Sequence, residues 1–156
     1  MQTSGVHLWL ILWKAFDSLQ RHAECHIHSL GLGFSDFGVL EVLLHKGPMP
    51  VNTLGAKIRL TSGSITALVD RLEKKGLLER RIDKDDRRTR MVHLTPAGHK
   101  LISCAFADHE QAMASATSGL TAEERNQAAE LLKKLGLHAA KMTREKSEAR
   151  SQKPEE

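Results

Sequence analysis

At 156 residues and 17.3 kDa the chain has the size of one domain, and 40% apolar with 27% charged residues excludes wholesale disorder. The net charge of +4 is uneven: residues 57–100 hold 12 Lys and Arg against 6 Asp and Glu, and the rest holds 11 against 13, so a segment suited to polyanions sits on a near-neutral body. Val6–Trp13, the longest strongly apolar run, is far short of the ~18 residues of a bilayer span and lacks the preceding Lys or Arg of a secretory leader, so no membrane segment and a cytoplasmic location are expected.

Trp9, Leu12, Phe16, Leu19, Ala23, Ile27 and Leu30 step by three and four, which predicts a long amphipathic helix over about 6–30, ended by Gly31 and Gly33. Leu8, Leu10, Ile11 and Trp13 make its first turns apolar on more than one face, which points to burial by a second chain. Ser35 is the expected cap of a second helix, with Phe37, Leu40, Leu43 and Leu44 on its buried stripe and Gly47, Pro48 and Pro50 at its end. A short third helix carries Val51, Leu54 and Ile58. Thr61 or Ser62 opens a fourth, in which Ile65, Leu68, Val69 and Leu72 share one narrow arc. The opposite arc holds Gly63, Thr66, Ala67, Asp70, Arg71 and Lys74, with Ser64 at its edge, and Gly76 ends the helix.

Leu77–Ile82 and Arg90–Leu94 read as the two strands of a β-hairpin around a highly charged loop. Thr95-Pro96 starts a fifth helix with Leu101, Ile102, Ala105, Phe106, Met113 and Ala116 on its stripe, and Cys104 beside that stripe is expected to be packed. Thr121-x-x-Glu124 is a capping box for a last helix with Leu131, Leu132, Leu135 and Met142 inside; residues 143–156, without a large apolar side chain, read as a disordered tail. The expected architecture is one domain over 1–142, mainly α with a small β-hairpin wing. A winged helix-turn-helix lobe over about 36–95 lies between long N- and C-terminal dimerisation helices at about 6–30 and 96–142.

The fourth helix has a front face slim enough for a major groove roughly 12 Å wide, and hairpin arginines can reach the adjacent minor groove or backbone. Double-stranded DNA is therefore the expected partner. The stretches Leu54–Ile58, Thr61-Ser62-Gly63-Ser64-Ile65-Thr66, Val69-Asp70-Arg71-Leu72-Glu73-Lys74-Lys75-Gly76-Leu77, Asp86-Arg87-Arg88 and Val92-His93-Leu94-Thr95-Pro96-Ala97-Gly98 together resemble the MarR (multiple-antibiotic-resistance regulator) family, over about residues 8–140. The resemblance implies a homodimer on palindromic operator DNA that represses nearby genes and is released by a small phenolic, quinone or other lipophilic effector, or by cysteine oxidation. Carried over by position, it implies that Ser62, Ser64, Thr66 and Arg71 face bases and phosphates and that Arg87 and Arg88 sit at the wing. Asp86, with Asp85, would hold a wing arginine in place. For Ser62 and Ser64 helix capping alone is the alternative role, and for Arg71 an i,i+4 contact beside Lys75 or a salt bridge to Asp85 or Asp86.

Trp9, Trp13, Phe16, Phe34 and Phe37 all precede residue 40 and are either plain core or the lining of an effector pocket. Cys25, with His22 three residues before it and His26 beside it, fits a thiol sensor or an inert helix cysteine. Without a fourth ligand that trio is not assigned a metal, and no cofactor is expected. The chain has no C-x-x-C, no Gly-rich phosphate loop and no recognisable Ser/His/Asp context, which argues against an enzyme. The competing class is a winged-helix protein–protein interaction module without DNA binding.

Overall fold

The computed structural model describes residues 3–83 and 89–151. Its elements run α1 (Gly5–Ser29), α2 (Phe34–Lys46), β1 (Met49–Pro50), α3 (Val51–Lys57), α4 (Ser62–Lys74), β2 (Leu78–Ile82), β3 (Arg90–Leu94), α5 (Pro96–Ala116) and α6 (Ala122–Ser151). The strands form an antiparallel sheet in the order β1-β3-β2. The fold is thus mainly helical with a small wing sheet, as the pattern predicts. The chain divides into two compact units between Ala116 and Thr117.

In the first unit a single apolar cluster joins Ile27 of α1, Phe37, Leu40 and Leu43 of α2, Leu54 of α3, the Ile65, Leu68, Val69 and Leu72 stripe of α4, Leu78 and Val92 of the wing and Ile102 of α5. Each fully buried side chain of this kind contributes ~1.5–3 kcal/mol of transfer free energy. The sheet is one strand richer than the predicted hairpin. Met49 pairs with Val92 and Pro50 with Met91, and Pro50, which has no N–H to donate, is tolerated because β1 is an edge strand. Helix α2 starts earlier than Ser35. Gly33 is its N-cap and accepts from the Phe37 N–H at 2.9 Å, which leaves Ser35 inside the first turn.

Only Ala23 and Ile27 of α1 are buried. Val6, Trp9, Ile11, Trp13 and Phe16 are each at least half exposed, so among the described residues of this unit the first half of the predicted stripe is bare. In α5, Ile102 and Ala105 are buried, while Leu101 and Cys104 are exposed; Cys104 is not packed as expected.

The second unit consists of the turn after α5 and α6. The capping box forms in both directions: the Thr121 N–H donates to Glu124 Oε2 at 2.8 Å and the Glu124 N–H to Thr121 Oγ1 at 3.2 Å. These bonds, the Thr121 backbone first, hold the Glu124 carboxyl below its ordinary value. The helix runs on to Ser151, past the position where a disordered tail was expected. Thr143 Oγ1 donates to the Ala139 carbonyl, and Lys141–Glu145 and Arg144–Glu148 are i,i+4 pairs, so polar side chains support what apolar ones do not. Leu131, Leu132, Leu135 and Met142 are exposed rather than inside, and Leu137 is exposed with them.

Candidate nucleic-acid interface

Helices α3 and α4 form the helix-turn-helix. Gly55 allows their close approach: a Cβ there would lie 2.9 Å from Ile65 Cγ2. The turn between them is made by Arg59, whose φ of 58° is in the left-handed region that non-glycine residues seldom enter. The Leu60 N–H then donates to the Gly55 carbonyl at 3.0 Å.

Thr61 is the N-cap of α4 and accepts from the Ser64 N–H at 3.3 Å, while its own hydroxyl donates to Ser64 Oγ at 2.8 Å. Thr66 Oγ1 donates to the Ser62 carbonyl at 2.9 Å. Burial divides the helix as its period predicts. Ile65, Leu68, Val69 and Leu72 are buried, and Ser62, Gly63, Ser64, Thr66, Ala67 and Asp70 are exposed. A Cβ at Gly63 would meet nothing within 4 Å, so this front face is open as well as small. It offers hydroxyls and the unpaired amides of a helix start, both of which suit phosphates and base edges.

Two ion-pair sets, neither of them foreseen, hold α4 at that presentation angle. Asp36 of α2, only 4% exposed, accepts from Arg71 and lies 3.5 Å from Lys75 Nζ. Arg71 is therefore tied to Asp36, although its side chain remains 54% exposed. Arg80 of β2 binds Asp70 at 2.5 Å and Glu73, joining the wing to the same helix. Burial opposes the Arg80 charge, but the Asp70 and Glu73 carboxylates overcome it and raise the guanidinium above its ordinary value. Arg80 had a legible signal: alternation along β2 puts it on the face of Leu78, against the helix, where a cation requires acidic partners.

The Asp83 N–H donates to the Thr89 carbonyl at 3.0 Å, closing the wing base. Asp85, Asp86, Arg87 and Arg88 lie outside the described residues. Phe34 and Phe37 line a cavity of about 350 Å³ with Ala23, Ile27, Ile58 and Leu60. Phe16 and Phe34 border a second, more open groove beside Met113. Trp9 and Trp13 line neither; they are exposed and stacked with ring centroids 6.5 Å apart. Among the described residues, neither of these two cavities gathers all five aromatics.

Cys25 is exposed on α1. Its neighbour His26 turns toward α5, where His26 Nδ1 lies 3.3 Å from His109 Nδ1, a pairing across 83 residues that sequence spacing does not reveal. His109 also meets the edge of Phe37. Burial lowers the His109 pKa below the ordinary imidazole value; His26 and His22 add to this and Glu41 opposes it. The unfolded chain thus binds this proton first as pH falls. The stability tied to neutral His109 is present above the ordinary value of ~6.5 and is lost as pH drops through the lower folded value. Thermal melts should show a smaller loss between neutral and mildly acidic pH for His109→Gln than for the wild type; equal losses would remove His109 from the acid response.

Among the described residues no single helix is long and apolar enough to cross a membrane. Residues 35–89 match the MarR family. The HTH-type transcriptional regulator MhqR of Bacillus subtilis (strain 168) is 40% identical over 139 residues, covering 89% of this chain and 96% of that protein. A mutant MarR from E. coli complexed with operator DNA superposes with a TM-score of 0.71 at 25% identity, over 82% of this chain and 92% of its own. The organohalide-sensing regulator RdhR in its 2,4-dichlorophenol-bound form superposes with a TM-score of 0.69 at 25% identity, over 84% and 78%.

Proposed function

The chain belongs to the MarR family of DNA-binding, non-enzymatic HTH-type transcriptional regulators, and on that premise we propose that it is a homodimeric, effector-released repressor of palindromic operators, acting in the cytoplasm. The observation that carries this reading is the open hydroxyl face of α4, with Ser62, Ser64 and Thr66 exposed around Gly63. In the proposal these side chains and the first amides of α4 enter the major groove, and Arg87 and Arg88 reach the neighbouring minor groove or backbone. One lobe reads a half-site, so a dyad placing two α4 helices ~34 Å apart is required. The bare apolar side chains of α1, Val6, Trp9, Ile11, Trp13 and Phe16, and, separately, those of α6, Leu131, Leu132 and Leu137, are what a second copy would cover. The E. coli MarR mutant complexed with operator DNA supports the binding mode, and the phenol-bound RdhR supports a small aromatic effector. The cavity walled by Phe34 and Phe37 is where we place that effector.

Binding to the DNA upstream of its own gene, titrated with salt, tests the reading. Affinity should fall steeply as salt rises, because phosphate contacts release counterions. Arg87→Ala and Arg88→Ala should each weaken binding by roughly 1–3 kcal/mol across sequences rather than at one base. Affinity unchanged in both variants would take the wing out of the mechanism. A chain that stays monomeric at micromolar concentration and binds no duplex at low salt would overturn the function itself.

A further inference from the structure

The cavity that the preceding reading gives to an effector is apolar on most of its wall, and its polar groups are few: Ser35, Glu41 and His109. Among the described residues no Lys or Arg lines it. Glu41 stands on α2, partly buried, and its charge is felt at His109 on the facing α5. His109 is in turn met by the His26 ring and the Phe37 edge, surroundings that favour the neutral imidazole. A volume of about 350 Å³ fits a small aromatic ligand. Such a ligand meets a carboxylate, a hydroxyl and an uncharged imidazole, and no cation. A ligand hydroxyl that donates is satisfied there. A ligand carboxylate would be desolvated beside a like charge with nothing to neutralise it.

We propose that Glu41 selects the effector by charge, so that the cavity takes uncharged, hydroxyl-bearing aromatics and turns away aromatic carboxylates. This rests on the effector-binding reading and adds to it a chemical class and a specificity residue. The discrimination belongs to Glu41 rather than to the apolar walls, since Phe34, Phe37 and Ile27 treat the two ring systems alike.

Calorimetric titration of the full-length protein with para-chlorophenol and para-chlorobenzoate at neutral pH tests it. The two probes share ring and substituent and differ in the charge of the polar group. Wild type should bind the phenol at least about tenfold more tightly, the scale expected of one like charge nearby at intermediate dielectric. Glu41→Gln keeps the shape and removes the charge. It should raise benzoate affinity by about tenfold, while the phenol, which loses a charged acceptor for its hydroxyl, gains nothing. Wild-type affinities that are equal, or a Glu41→Gln protein that binds phenol normally without gaining benzoate, would overturn the charge filter and leave the effector site standing. A wild type that binds neither probe would remove both.

Discussion

Gly98→Ala should destabilise the protein by about 3–4 kcal/mol, one of the largest losses available to a single added methyl group. A Cβ at position 98 would lie 2.0 Å from the Leu77 carbonyl oxygen and 2.9 Å from its carbon. Both are backbone atoms, so no flexible side chain can turn aside. The contact is close because three bonds draw the segments together. The Thr95 N–H donates to the Leu77 carbonyl at 3.1 Å, Thr95 Oγ1 donates to the Gly76 carbonyl at 2.7 Å, and the Gly98 N–H donates to Thr95 Oγ1 at 3.0 Å. The end of α4, the first residue of the wing approach and the start of α5 therefore meet at one point. Relieving the clash means moving α5 away from the wing, and with it the core contact of Ile102. Urea unfolding should show a lower midpoint with little change in slope. Gly63→Ala is the contrasting variant: its Cβ meets nothing, it lies within a helix, and stability should not fall. Equal midpoints for Gly98→Ala and wild type would mean that this junction does not hold the lobe together.

The recognition helix was legible because four apolar residues at helical spacing admit one orientation, and Ile65, Leu68, Val69 and Leu72 are all buried. The capping pair Thr121 and Glu124 was legible for a similar reason, since both partners lie within one turn. Strand β1 was not. Two residues carry no periodicity, and Pro50 reads as a helix stop before it reads as an edge strand. The stripe of α1 is legible as a pattern, but a pattern does not say what covers it, and Trp9 and Phe16 are exposed. Contacts across long sequence separations were the least legible. Nothing in the spacing brings His26 to His109 or Asp36 to Arg71. An acidic residue in a first helical turn already has a sufficient local explanation in the helix dipole, so Asp36 gave no sign of a distant partner.

That hidden partner changes what a substitution at Arg71 measures. Arg71→Met should lower stability by about 2–3 kcal/mol before any DNA is added. The Asp36 side chain is only 6% exposed and accepts from the Arg71 guanidinium, while Lys75 stands off at 3.5 Å. Removing the guanidinium leaves a buried carboxylate with one weaker cation. The loss is held below that of a fully buried pair because Arg71 is itself half exposed and already shares its charge with water. The reverse change is milder. With Asp36→Asn the carboxylate is gone, and both cations, being half exposed, can turn to solvent. A residue that touched only DNA would leave stability within about 0.5 kcal/mol of wild type. Unfolding midpoints for Arg71→Met, Asp36→Asn and the double variant close a cycle. The double variant should lose clearly less stability than the sum of the single losses, because the stranded charge no longer exists. If the single losses simply add, the pair does no joint work, and weakened DNA binding by Arg71→Met could then be read directly as a lost contact. If they do not add, part of that weakening comes from α4 losing its tie to α2, the helix that also carries Phe34, Phe37 and Glu41 of the cavity wall. Asp36 then links the wall of the cavity, through its ion pair with Arg71, to the helix proposed to read DNA.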